Sequence, residues 1–341
     1  MIYIAKRGSF PVEAEYWVRD ELMFKQSLAN QAGDGRRILI LSGSSGLFGV
    51  DPALIEHLTG LKTINLSTHA GLPLNFQLDY ADKIVRAGDL IILPLEYEYY
   101  PQPPAETSTW WDQMALAAFP AVFRELTMID RLKALLRMKP QILWDGAYVS
   151  ARRLVQPSFM AQRDLAGLEV ILSKWRDAPH SGATQYGVEG TNERGDIERN
   201  CESRNARWRY PIATSSYSIN PEVIEILKHY AAGWKERGVR AYVSFPPVSI
   251  DVLAAPHFHE NTEKLIRLLD AAGVVTIGKP NDFVFSRKAF FDTPYHLNCN
   301  SRIERTLILL RQLTISARSA NTDSKRTSGV TTMAGFLRIS A

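Results

Sequence analysis

Short apolar runs alternate with amphipathic stretches in two parts of this chain, and the spacing predicts an α/β fold with a parallel sheet. Residues 13–30 put Tyr16, Trp17, Met23, Phe24 and Leu28 mostly on one face of a helix, which Gly33-Asp34-Gly35 ends. Ile38-Leu39-Ile40-Leu41 is a continuous apolar run, as a strand buried on both faces requires. It leads into Ser42-Gly43-Ser44-Ser45-Gly46, and Asp51-Pro52 then reads as an N-cap followed by a first-turn proline. A second strand over 63–66, a helix over 75–87 and a third strand from Asp89 to Leu95 repeat the unit.

Between 101 and 216 the alternation lapses into a large insertion, helical where Trp110, Trp111, Phe119 and Phe123 cluster and polar from 180 to 205. It resumes at Asn220-Pro221, a second cap pair. Val223, Ile226, Leu227, Tyr230 and Trp234 follow at helical spacing. A fourth strand over 239–245, a helix over 261–272, a fifth strand over 274–277 and a helix over 301–315 complete the pattern. The expected organisation is an N-terminal amphipathic helix (1–36), one α/β domain (37–316) split by the insertion 101–216, and a loose tail (317–341) poor in large apolar groups.

Composition changes this picture little. Hydrophobic residues make up 45% and charged residues 22% of the 341, enough for a full core. The net charge of +4 is not gathered into the long basic stripe that nucleic-acid binders present, so no nucleic-acid partner is expected. Cys201 and Cys299 lack metal-site spacing, and one bridge between them is left open. His257 and His259 flank Phe258 without acidic or Cys partners at matching distance, so neither metal nor cofactor is expected. No run reaches eighteen apolar residues and the first residues resemble no signal peptide, so the chain as it stands reads as cytosolic.

In an open parallel sheet, ligands bind at the carboxyl ends of strands. Three polar loops fall there: Gly43-Ser44-Ser45, Asn65-Leu66-Ser67 with Gly71 beyond, and Pro94-Leu95-Glu96. A serine in a tight turn can act as a nucleophile given a base. Asp292-Thr293-Pro294-Tyr295-His296, ahead of the last helix, supplies a histidine and a carboxylate. Ser45 is expected as nucleophile, His296 as base and Asp292 as its orienting acid.

That order, serine after strand one and Asp/His before the last helix, resembles the SGNH (GDSL-type) hydrolases. The style is closest to members that modify cell-surface polymers, namely the alginate O-acetylation and teichoic acid D-alanyl-transfer proteins. There the first block can read Gly-Ser-Ser, as at 43–45. The resemblance covers roughly 37–100 and 217–315. It implies a flavodoxin-like three-layer fold with a five-stranded parallel sheet. Ser67 falls where the family has a glycine whose N–H serves the oxyanion hole, with Gly71 lining the site. Glu96 falls near an asparagine whose amide donates to the oxyanion. A carboxylate there would repel that charge unless protonated or turned away. Asp292 and His296 are separated by three residues instead of the family's two.

The resemblance implies a serine esterase or O-acyltransferase acting on an acylated glycan of a bacterial surface, or on a small ester. It implies membrane-associated polysaccharide machinery as partner, and an extracytoplasmic place if an anchor precedes Met1. Two other readings stay open: a catalytically silent relative that binds a glycan or partner, and a nucleotide binder using Gly43-Ser44-Ser45-Gly46 as a phosphate cradle.

Overall fold

The computed structural model describes residues 10–105, 108–159, 165–178, 186–197, 201 and 211–327, with side chains as far as 316. The first part runs α1 (Tyr16–Gln31), β1 (Arg37–Ile40), α2 (Ser44–Gly49), α3 (Pro52–Thr59), β2 (Lys62–Asn65), α4 (Leu74–Asp82) and β3 (Leu90–Pro94). Helices then dominate: α5 (Thr109–Ala117), α6 (Pro120–Glu125), α7 (Met128–Arg137), α8 (Pro140–Val155) and α9 (Leu168–Asp177). The chain closes with α10 (Pro221–Glu236), β4 (Arg240–Ser244), β5 (Val248–Ser249), α11 (Phe258–Ala271), β6 (Val284–Phe285) and α12 (Cys299–Thr327).

Both cap pairs behave as the sequence predicts. Asp51 accepts the Leu54 N–H at 2.9 Å with Pro52 behind it, and Gly60 closes α3 at φ 68°, a left-handed conformation only glycine adopts freely. Asn220 accepts the Glu222 N–H at 2.9 Å ahead of Pro221. The last helix runs on to Thr327, past its expected end near 315.

The sheet is parallel throughout, in the order β2-β1-β3-β4. It has four strands, not the expected five. Residues 274–277 do lie beside β4, where Val243 N–H reaches Val275 O and Ile277 N–H reaches Val243 O, both at 2.9 Å. They form only one parallel bridge, Val243 to Thr276. Left-handed Gly273 (φ 72°) and Gly278 (φ 73°) turn the chain at either end of the run, whose contact with β4 is confined to Val243. A two-stranded parallel pair, β5 with β6, escaped the sequence pattern because each strand is two residues long.

One cluster of buried side chains takes in α1, the sheet, α5 to α7 and α10 to α12. Tyr97, Tyr99 and Tyr100, just after β3, belong to it, so these tyrosines are core. So does Trp111, whereas Trp110 lies only at its margin. Beneath the sheet's start, Arg37 forks onto both oxygens of Asp89 (3.0 and 2.5 Å) and bonds the carbonyls of Ala29 and Ile84. Those bonds satisfy a buried charge that would otherwise be costly. Cys201 and Cys299 form a disulfide that ties the insertion to the start of α12. Among the described residues no helix is long and apolar enough to cross a membrane.

Candidate active site

The turn after β1 is packed from three sides. A Cβ on Gly43 would sit 2.5 Å from Ala70 Cα and 2.6 Å from Glu96 Oε1, so only glycine lets the three loops approach. Ser42 Oγ accepts the Gly46 N–H at 2.9 Å, and the Ser42 N–H donates to Ser67 Oγ at 3.0 Å. Buried Arg305 on α12 donates to Ser45 O at 2.8 Å and to Phe245 O at 3.1 Å.

The expected nucleophile, Ser45, is turned inward. It is fully buried, and its hydroxyl donates to Pro94 O at 2.9 Å. Ser44 begins α2 and is half-buried, and it lines a cavity of about 410 Å³ together with His296, His69, Thr68 and Tyr186. Consecutive helical residues project about 100° apart. One faces the core and its neighbour faces the cavity.

The other two expected triad members do come together. Asp292 Oδ1 lies 2.7 Å from His296 Nδ1, so the longer spacing, with Pro294 between, still closes. The His296 ring stacks on Phe48 at 4.1 Å and 16°, which fixes its plane. With Nδ1 engaged, Nε2 is the nitrogen free to exchange a proton. Ser44 and His296 line the same cavity without a hydrogen bond between them.

Of the residues expected on the oxyanion side, Ser67 departs from expectation, Gly71 lines a neighbouring cavity, and Glu96 follows one of its two expected alternatives, a carboxyl kept protonated by burial. The Ser67 N–H donates to Asn65 Oδ1 at 3.0 Å, its carbonyl takes buried Lys25 Nζ, and the residue is fully buried. It has no N–H to offer. The Gly71 N–H is likewise spent, on His69 Nδ1 at 2.9 Å. Glu96 faces the turn instead of pointing away: Oε1 accepts the Ser45 N–H at 2.7 Å and Oε2 the Gly43 N–H at 3.2 Å. Burial pushes its carboxyl up to about 7, with those N–H donors pulling the other way. Gly71 and Glu96 line a second cavity of about 500 Å³ that shares Ala70 and Tyr295 with the first.

His69 could be read from the sequence as lining the site or as a plain polar loop residue; it lines the cavity, in a cluster with Trp110 and Glu15 that the sequence does not show. His69 stacks on Trp110 at 4.4 Å and 18°. Glu15 accepts both the Trp17 and Trp110 indole N–H groups, at 2.9 and 3.0 Å. Burial lowers the His69 pKa, opposed by Glu15 and assisted by His296. Because Nδ1 accepts from Gly71, neutral His69 carries its proton on Nε2 and is a donor there. His69 and Trp110 lie 41 residues apart by number, and no local pattern pairs them. Among the described residues no group of three His, Cys, Asp or Glu side chains is arranged to hold a metal ion.

The sequence matches no protein-family model, and no curated protein resembles it.

Proposed function

We propose that the chain is a serine esterase or O-acyltransferase of SGNH type, with Ser44 as nucleophile in place of Ser45. The observation that carries this reading is the Asp292–His296 pair at 2.7 Å, set in the cavity that Ser44 lines. Ser44 Oγ attacks an ester carbonyl while His296 Nε2 takes its proton, and Asp292 stabilises the imidazolium through Nδ1–H. The carbonyl π electrons move to oxygen and return as the alkoxide leaves, taking the proton from His296. Acyl-Ser44 then passes its acyl group to water or to a sugar hydroxyl by the same steps. His69 Nε2–H is the side-chain donor at hand for the oxyanion, because the Ser45 and Gly43 N–H groups are held by Glu96.

An acylated glycan of a bacterial surface fits the aromatic wall of Trp17 and Tyr186, since sugar faces pack well on such rings. The disulfide fits an oxidising compartment. The four-stranded parallel sheet, extended by the bridge at Thr276, is compatible with the three-layer SGNH arrangement.

A second reading is a catalytically silent glycan-binding relative. The Glu96 carboxylate on the turn N–H groups favours it, because it occupies donors that an oxyanion would use. The same carboxylate argues against a phosphate in that turn. A fluorophosphonate probe separates the readings. Labelling that is lost in Ser44→Ala and kept in Ser45→Ala supports the enzyme, and no labelling of any serine in folded protein supports the binder.

A further inference from the structure

Helices α7 and α8, joined by only Met138 and Lys139, turn their apolar sides outward. On α7, Met128 (69% exposed), Ile129, Leu132 and Leu136 (76%) fall within an arc of about 100°. Ala134 and Met138 face the core on the other side. On α8, Trp144 (71%), Tyr148, Ala151 and Val155 (86%) share an arc of about 60° opposite buried Gly146, Val149 and Arg153. A helix laid on a core shows the reverse arrangement.

The charge around these stripes is one-sided. Residues 120–159 hold seven Arg and Lys against three Asp and Glu, an excess equal to the whole chain's net charge of +4. Arg124, Lys139 and Arg152 are exposed, as are Lys133 and Arg137, which also pair with Asp130 and Asp112. Outward Trp and Tyr beside large aliphatics, edged by cations, match the chemistry of an anionic bilayer surface, where aromatic rings sit at headgroup depth and basic groups meet phosphate.

We propose that α7 and α8 form a monotopic docking surface for membranes containing anionic lipid. The surface connects to the candidate site: Arg137 on α7 forks onto Asp112 of α5 at 2.6 and 2.9 Å, and α5 carries the Trp110 that stacks on His69. The proposal stands apart from any catalytic role.

Vesicle flotation of the full chain tests it. Vesicles of phosphatidylcholine with phosphatidylglycerol are expected to carry the protein up, and pure phosphatidylcholine to bind it at least about tenfold more weakly. Leu132→Glu/Leu136→Glu, both exposed and so neutral to folding by circular dichroism, weakens binding by about tenfold or more. Lys133→Glu/Lys139→Glu weakens binding only to the anionic vesicles. The proposal is overturned by no binding to either vesicle, or by leucine variants that bind as well as wild type. It is also overturned if the free protein sediments as a dimer that those leucine substitutions split, for the face then belongs to a second copy.

Discussion

Glu96 Oε1 accepts the backbone N–H of Ser45 at 2.7 Å, joining the end of β3 to the turn after β1 across 51 residues. Its partner oxygen holds Gly43, and Arg305 holds the Ser45 carbonyl from the other side. The turn that presents Ser44 is therefore fixed by a buried acid and a buried base, Arg305 being lowered to about 9 chiefly by its own burial.

The acid makes stability depend on pH. Unfolded, the carboxyl loses its proton near 4.5; folded, it keeps it to about 7. Between those values the native state binds more protons, so rising pH favours unfolding, by up to about 3 kcal/mol in total from this group. Glu96→Gln, which loses one N–H acceptor, should be less stable than wild type at pH 4.5 and should recover relative to it by pH 8. Urea unfolding at the two pH values measures this, and parallel curves for the two proteins would place the titration elsewhere.

The two serines separate structure from chemistry. Ser45→Ala removes the bond to Pro94 O and should cost about 0.5–1.5 kcal/mol in unfolding free energy while probe labelling persists. Ser44→Ala, at a half-exposed position, should change stability by less than about 0.5 kcal/mol and abolish labelling. The reverse result restores Ser45 as nucleophile and requires its hydroxyl to leave Pro94.

His69→Phe keeps a ring against Trp110 and deletes the Nε2–H donor. On a p-nitrophenyl ester, kcat should fall about a hundredfold with KM little changed, the pattern of a group that meets only the oxyanion. A raised KM at unchanged kcat would make His69 a binding wall.

The disulfide closes a segment of 98 residues. Reduction, or Cys201→Ser/Cys299→Ser, should lower stability by about 2–5 kcal/mol, read as a lower denaturant midpoint. Equal midpoints with and without reductant would count against the bridge.

Much of the fold is legible locally. The strands Arg37–Ile40 and Leu90–Pro94 are legible because the apolar runs around 38–41 and 90–95 suit burial on both faces, and Asp51-Pro52 and Asn220-Pro221 start helices because a side-chain acceptor and a proline suit the first turn. The approach of Asp292 to His296 was also legible, since four residues of chain can return a carboxylate to an imidazole. The fifth strand is not legible as a single bridge because its apolar run looks like the others, while its pairing depends on how much of it the fold lays along β4.

What the chain order determined, then, is that a serine turn and an Asp/His loop lie at the carboxyl ends of parallel strands. Tertiary structure decided which of two adjacent serines meets the cavity. Neighbours in sequence point about 100° apart once α2 forms, and the direction of α2 depends on Glu96, Ser67 and Arg305, contributed by distant segments. It also spent the Ser67 and Gly71 N–H groups locally and brought Glu15, His69 and Trp110 together. Hydrogen-bond partners of buried groups are chosen by what the whole packing leaves within 3 Å or so, and no local run of residues carries that information.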